Sequence, residues 1–453
     1  MPAHNHRHTT IERVVQGLLS GVSTTWHFFS NHEDFVARFP NGAHQSESRH
    51  SGSFRIKETG FVIWFLENNE YAALEVNREN PRISKREWQP FSSFRKISPG
   101  LIGTAQSLRA PENSYLGNNI NRLATGYSLG NMIIAHSLTG SVSSNIFTNA
   151  VVIDELQRLA LTSYEGAKCH SGFLFFRAPH QYFEQIEAAG FRVERFDDDF
   201  FLEPGFFQST ISHRYVDGRN SFYVIDNNRR IHGIATVQDP GKYSLYNRAL
   251  FEHIDGISET STGRMYCAFV GRNADVLIYA KGKALYRWDK LTWRIIDLDI
   301  ILKFLRDETS LLQEGIKSLK SALLVCSNLR IGTLVLVLSG ERMPNYVGKI
   351  DNSAVSSHIL KVNQNRSIVD IVANGSAFGI LTSDGLTTLD PHGRLVSTGD
   401  ILDLSVKHKI SYEGGGRTQA AQAASYYGVA LKVSEDGPLS IYKDGRMIAN
   451  FVI

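Results

Sequence analysis

The run Leu334-Val335-Leu336-Val337-Leu338 constrains the fold of this chain more than any other segment. Its apolar side chains do not alternate with polar ones, so it reads as a strand buried inside the protein. It is far short of the roughly 20 apolar residues that span a bilayer, and no other stretch approaches that length. Helical and strand patterns mix around it. Residues 299–326 read as a helix broken near Asp307, and 355–362 and 367–372 as helices or short turns. Residues 394–396, 429–433 and 439–442 read as strands, and 418–426 as a helix. Residues 377–382 and 386–389 flank or enter the turn at Asp384-Gly385. This mixture favours an α/β class, with a mixed sheet flanked by helices in the C-terminal third.

Ahead of that third, the patterning divides into two regions. Residues 1–160 read as an α+β region. A helical pattern covers 11–40, and strands at 61–66 and 71–76 are joined by Glu67-Asn68-Asn69-Glu70, which predicts a hairpin. Residues 98–150 are rich in Gly, Ser and Asn, and 153–161 form an amphipathic helix. Residues 161–297 read as a middle α/β region. It opens with a strand at 172–176 and a helix at 181–189, followed by a strand from Phe191. Paired strands at 221–225 and 231–237, 264–270 and 275–280, and 284–288 and 293–296 predict an antiparallel meander. The remaining residues, 298–453, form the third region.

With 453 residues, 42% apolar and 21% charged, the chain can bury large cores without covalent staples. A net charge of +3, without a basic run, argues against nucleic acid as a partner. Cys169, Cys267 and Cys326 are sparse and form no CxxC pair, which argues against structural zinc and suits a reducing compartment. The N-terminus, Met1-Pro2-Ala3-His4-Asn5-His6-Arg7-His8, has no apolar segment of a secretory signal, so a cytoplasmic protein with no membrane association is expected. His4, His6 and His8 read as a polar tail in preference to a metal site.

Two motifs carry chemistry. Ser383-Asp384-Gly385-Leu386 places a carboxylate at a turn. Gly414-Gly415-Gly416-Arg417-Thr418 puts a glycine turn and an arginine just before a helix, and Val433-Ser434-Glu435-Asp436-Gly437-Pro438 ends a strand in polar residues. A glycine turn presents backbone N–H groups to phosphates, and a guanidinium pairs with phosphate oxygens in a two-pronged way. The plainer readings are an Asp-Gly hairpin turn and a flexible glycine loop.

Residues 305–453 resemble the diadenylate cyclase (DAC, or DisA-N) domain family. Asp384-Gly385-Leu386 stands where that family has Asp-Gly-Ala. Gly415-Gly416-Arg417-Thr418-Gln419 stands where it has Gly-Thr-Arg-His-Arg. Val433-Ser434-Glu435-Asp436-Gly437-Pro438 matches its strand end, and Leu329-Arg330-Ile331-Gly332-Thr333-Leu334-Val335-Leu336-Val337 resembles its first core strand. The resemblance implies synthesis of cyclic di-AMP from two ATP molecules, with Mg²⁺ or Mn²⁺ and at least a transient face-to-face homodimer of C-terminal domains. Residues 1–297 would serve as a sensor region. It implies Asp384 as the catalytic residue, Asp384 and Glu435 as metal ligands, and a nucleotide site of Gly385, Leu386, Gly415, Gly416, Arg417, Thr418, Ser434 and Glu435. The departures are Leu386, Gly416, Thr418 and Gln419, where the family has Ala, Thr, His and Arg. Losing a cation and an imidazole removes transition-state stabilisation, which keeps open a nucleotide-binding sensor without turnover.

A third reading is a serine hydrolase. Gly126-Tyr127-Ser128-Leu129-Gly130 fits the nucleophile-elbow pattern, but residues 118–125 are too polar for the strand that should precede it. Asp197-Asp198-Asp199 reads as a charged turn between buried aromatics, and Gly205-Phe206-Phe207 as core. His358, His392 and His408 lack ligand spacing.

Overall fold

The structure, a computed structural model, describes residues 15, 22–40, 51–56, 60–67, 70–78, 129–142, 144–177, 183–188, 190–238, 265–271, 273–280, 283–290, 293–295, 299–349, 354–405 and 414–451. It is a mixed α/β protein. The chain falls into two units, one of Met1–Pro240 with His253–Ile295 and one of Gly241–Glu252 with Ile296–Ile453. Among the described residues, no helix is long and apolar enough to cross a membrane.

In the first unit, β1 (Val22–Phe29), β2 (Ser51–Ile56), β3 (Gly60–Glu67) and β4 (Glu70–Arg78) form an antiparallel sheet in the order β1-β4-β3-β2. The expected hairpin forms, with Glu67 opposite Glu70. The helix expected through residue 40 is corrected: Val22–Phe29 is a strand, and only His32–Arg38 (α1) is helical after it. Threonines and aromatics in β1 suit a pleated surface, and pairing with β4 overrides their helical spacing. Alternation along β3 sends Val62 and Trp64 toward Phe35 of α1, and Ile63 and Phe65 into the main core.

That core also takes side chains from α2 (Leu129–Val142), α3 (Ile146–Leu161) and an eight-stranded sheet. A two-stranded ribbon, β5 (Ser163–Tyr164) and β6 (Ala167–Lys168), follows α3. Then come β7 (Gly172–Phe176), α4 (Phe183–Ala188), β8 (Phe191–Phe201), α5 (Thr210–Arg214), β9 (Ser221–Ile225) and β10 (Arg230–Val237). The expected meander is β11 (Met265–Val270), β12 (Val276–Ala280), β13 (Lys283–Trp288) and β14 (Trp293–Ile295). The order is β14-β13-β12-β11-β7-β9-β10-β8, and β7 and β9 run parallel. Ile63 of the small sheet, Leu156 of α3 and Tyr266 of β11 lie in one cluster, so the regions expected on either side of residue 160 share a core.

Asp197-Asp198-Asp199 is not a turn. It lies within β8, where register jumps from Arg195 opposite Gly233 to Phe200 opposite Ile231. The surplus residues form a broad bulge, which leaves Phe200 and Phe201 substantially exposed. Phe207 is buried as expected, ringed by Phe173 and Phe206. The three cysteines are buried and form no disulfide.

The second unit opens with two helices, α6 (Asp299–Glu308) and α7 (Gln313–Leu329), the break falling just beyond Asp307 as the pattern predicts. Its further elements are β15 (Thr333–Leu338), β16 (Tyr346–Lys349), α8 (Ala354–Asn363), α9 (Ile368–Ala373), α10 (Ala377–Leu381), β17 (Leu386–Leu389), β18 (Leu395–Leu402), α11 (Gly416–Ala424), β19 (Gly428–Val433), β20 (Leu439–Lys443) and β21 (Arg446–Phe451). The sheet order is β16-β18-β17-β15-β19-β20-β21, with β15 central and only β15–β17 parallel. Every residue of β15 is buried. Leu334, Leu336 and Leu338 pack with Ala421 and Ala424 of α11, and alternation turns Val335 and Val337 to the opposite face. Helices α7 and α10 contact the sheet through β19 and β15, and α9 packs on α7. Coverage of both faces is the physical reason that the run is apolar without alternation.

Leu336→Ala should lower the unfolding free energy of the second unit by about 2–5 kcal/mol, from lost burial plus a residual cavity, read as a shift in the denaturant midpoint. In the first unit, burial pulls the pKa of His136 in α2 down to about 4. The folded form therefore refuses a proton that the unfolded chain accepts, near its ordinary value of about 6.5. Stability is full above about pH 6.5 and is lost as pH falls toward about 4. In pH-dependent thermal unfolding, His136→Gln should flatten that part of the profile.

Candidate functional site

Residues from four separate segments meet at one end of the second unit's sheet. Because β15 and β17 run parallel with Leu334 opposite Leu386, the residues preceding both strands lie at the same end. Because β19 runs antiparallel with Thr333 opposite Val433, the residues following β19 lie there too. Gly332, Asp384 and Glu435 are thus brought together by backbone register. The N-terminus of α11 supplies Arg417 to the same place.

Arg417 joins the set. Its Nη1 donates to Glu435 Oε1 at 2.8 Å and its Nη2 to Asp384 Oδ1 at 3.2 Å. The hydrogen bond to Glu435 first, with the weaker one to Asp384 adding to it, raises the Arg417 pKa above its ordinary value despite the opposing effect of burial. Both carboxylates are mostly exposed, at 66% for Asp384 and 74% for Glu435. The guanidinium lies against Gly332: a Cβ there would fall 2.1 Å from Nη1 and 2.8 Å from Cζ.

The Asp384 turn is held from behind. Ser383, Thr387 and Thr398 form a hydroxyl knot around the Ile380 carbonyl, which lies 2.9 Å from Ser383 Oγ, 3.1 Å from Thr387 Oγ1 and 2.9 Å from Thr398 Oγ1. Gly385 adopts φ +102°, and a Cβ there would meet the Asp400 carbonyl at 2.9 Å, so the turn requires glycine. Its N–H donates to Asp384 Oδ1 at 3.1 Å.

The glycine turn bends at Gly414, φ +91°, and Gly415 is the N-cap of α11. Thr418 N–H and Gln419 N–H both donate to the Gly415 carbonyl, at 2.8 and 3.1 Å. The N–H groups of Gly416 and Arg417 thus lie in the first turn, ahead of intrahelical bonding. Cβ positions at Gly415 and Gly416 meet nothing within 4 Å, so the turn borders open space. Gln419 Nε2 donates to the Gly414 carbonyl at 2.9 Å and closes the turn. Lys432 Nζ donates to Thr418 Oγ1 at 2.8 Å, and burial first, with Arg417 nearby, lowers the lysine pKa. Ser434 sits at the head of the adjoining turn, its N–H donating to the Pro438 carbonyl at 2.9 Å. Ser327 Oγ donates to the Gly437 carbonyl from α7 and anchors that turn.

Of the expected site residues, Asp384, Arg417 and Glu435 are in direct contact, and Gly385, Gly415, Gly416, Thr418 and Ser434 border them. Leu386 differs. Its side chain is buried in the core with Leu334 and Ala421, so it does not line the site. Sequence reasoning missed Gly332, the hydroxyl knot and Lys432. Gly332 had a signal, as a glycine immediately before the most apolar strand, where close approach of a side chain to the backbone is a reason for glycine. Ser128 lies outside the described residues, as do His4, His6, His8 and His408.

Among the described residues, no group of three or more His, Cys, Asp or Glu could hold a metal ion. The donor set at the site is two carboxylates that share one arginine. Hard oxygens of this kind suit Mg²⁺ or Mn²⁺ when phosphate oxygens and water complete the coordination. The residues fit such an ion on that condition.

No protein-family model matches the chain, and no curated protein does. Among solved structures, the chain is similar to a hypothetical membrane spanning protein from Bacillus cereus, at 19% identity and a TM-score of 0.24, over 33% of this chain and 68% of that one. It is also similar to a double mutant of DacA from Staphylococcus aureus, at 21% identity and a TM-score of 0.21, over 30% of this chain and 85% of that one.

The ion pairs at the site are exposed, whereas Gly385 holds a backbone conformation that favours glycine, so their energetics should separate. Arg417→Ala should change stability by less than about 2 kcal/mol, since each exposed pair contributes about 0–1 kcal/mol. Gly385→Ala should cost at least about 1–2 kcal/mol from backbone strain alone. Chemical denaturation of both variants checks the contrast.

Proposed function

We propose that the second unit belongs to the diadenylate cyclase family and joins two ATP molecules into a cyclic dinucleotide, cyclic di-AMP, in the cytoplasm. Residues 1–297 would act as the controlling sensor region. The observation that carries this reading is the convergence of Asp384, Arg417 and Glu435 beside an open glycine turn at a helix N-terminus.

In each half-reaction, a ribose 3′-hydroxyl attacks the α-phosphate of the other ATP. A new P–O bond forms, the bond to the β-phosphate bridge breaks, and pyrophosphate leaves with its electron pair. Asp384 would receive the hydroxyl proton. The N–H groups of Gly416 and Arg417, at the helix N-terminus, would donate to phosphate oxygens, and the Arg417 guanidinium would add charge. Asp384 and Glu435 would hold Mg²⁺ or Mn²⁺, which supplies charge neutralisation for the triphosphate. One site holds one ATP, so two copies must face each other for the reaction to complete.

One observation favours the alternative of a nucleotide-binding sensor without turnover. Where the family has a histidine and a second arginine, Thr418 and Gln419 are spent inside the turn, on Lys432 and Gly414. Such a domain keeps the cradle and lacks two groups that stabilise the transition state.

Purified full-length protein incubated with ATP and Mn²⁺ or Mg²⁺ should yield cyclic di-AMP and pyrophosphate by mass spectrometry, with specific activity rising with protein concentration. Asp384→Asn should abolish product while leaving the fold intact. Arg417→Ala should weaken ATP binding by roughly 2–5 kcal/mol in calorimetry. ATP binding without product from the unsubstituted protein would favour the sensor. Absence of ATP binding would overturn both readings.

A further inference from the structure

Arg417 and a divalent cation require the same two carboxylates. The guanidinium donates to Asp384 Oδ1 and Glu435 Oε1 with its two terminal nitrogens, so it stands where a cation shared by these groups would stand. Gly332 provides the seat, since any Cβ at that position would overlap Nη1. The backbone leading into Gly332 is itself fixed. Arg330, with φ +56°, ends α7 in a left-handed cap, and Ile331 N–H returns to the Cys326 carbonyl at 2.8 Å.

We infer that Arg417, seated on Gly332, is a latch that occupies the position between Asp384 and Glu435, so that a divalent cation binds there only when an incoming polyphosphate draws the guanidinium away. Phosphate oxygens are the partner that a guanidinium takes in a two-pronged fashion, and the open glycine turn lies beside it. Release of Arg417 toward phosphate uncovers both carboxylates at once. Cation and polyphosphate then bind with positive coupling, and by linkage each raises the affinity of the other by the same factor. With only two carboxylates supplied by the protein, the cation's remaining ligands also come from the phosphates, which reinforces the coupling. Gly332 is thus a positioning residue: it touches neither ligand and acts by setting where Arg417 rests. The identity of the cation rests on the nucleotide-site reading, whereas the competition rests on the geometry of the three side chains.

The test is Mn²⁺ binding to the full chain, followed by electron paramagnetic resonance without nucleotide. The unsubstituted protein should bind Mn²⁺ weakly. Arg417→Gln removes the competing charge and should tighten Mn²⁺ by on the order of tenfold, from loss of two exposed ion pairs. Gly332→Ala keeps the arginine but evicts it from its seat, and should move the affinity in the same direction. Asp384→Asn with Glu435→Gln, added to Arg417→Gln, should return binding to the weak level and so locate the ion. Unchanged Mn²⁺ affinity in both Arg417→Gln and Gly332→Ala would overturn the latch, even if ATP is turned over. Tightened Mn²⁺ in a protein that makes no cyclic dinucleotide would leave the latch standing and remove the cyclase.

Discussion

The backbone ladders on either side of β15 are what the candidate site depends on. One is parallel, to β17, and one antiparallel, to β19. A parallel pair cannot be closed by a tight turn, so the chain between β15 and β17 crosses over through α8, α9 and α10 before returning. That crossover delivers Asp384 to the end of the sheet at which Gly332 begins its strand. The antiparallel ladder delivers Glu435 to the same end from the other direction. Neither carboxylate is near Arg417 in sequence, and all three meet because two registers are fixed by buried apolar side chains. A one-residue slip in either ladder would turn leucines to the wrong face, so the register is held by the core and the site inherits its precision.

The division of labour between core and rim follows from the same geometry. The side chains that stabilise the second unit, such as Leu334, Leu336 and Ala421, point into the layer between sheet and helix. The candidate chemistry sits on the residues just beyond the strand ends, where side chains face outward. Leu386 marks the border. One residue after the Gly385 turn, the chain has already committed its side chain to the core. The hydroxyl knot behind Asp384 does a different task. Three short polar side chains gather on one carbonyl, so the turn is held by side-chain hydrogen bonds.

Much of this was legible in the sequence, for identifiable reasons. The β15 run was legible because a strand covered on both faces has no polar alternation, and the hairpins were legible from their turn residues. Asp384, Arg417 and Glu435 were legible as chemistry-bearing groups because each adjoins a glycine turn or a strand end. What escaped was decided by partners distant in the chain. Val22–Phe29 has a helical spacing of apolar residues and becomes a strand because β4 pairs with it. The aspartates of β8 resemble a turn, and the bulge between the Ile231 and Gly233 pairs absorbs them without reversing the chain. The place of Lys432 beside Thr418 depends on how α11 lies across β19, which local pattern does not encode. Leu386 enters the expected site through the family resemblance, whereas its place in the core is set by the partners it packs with, Leu334 and Ala421.

Helix α11 meets the sheet through Ala421 and Ala424, the smallest side chains that still bury apolar area. A helix seated on methyl groups is located by contact of its own backbone with the strands beneath, and it contributes almost no shape-specific interlocking. Its exposed first turn therefore works as an interchangeable headpiece on a fixed mount. Arg417 and Gln419 bond to groups at the rim, so they can be exchanged for others without asking the core to repack, and the side chains offered at this edge are free to diverge while the mount stays the same.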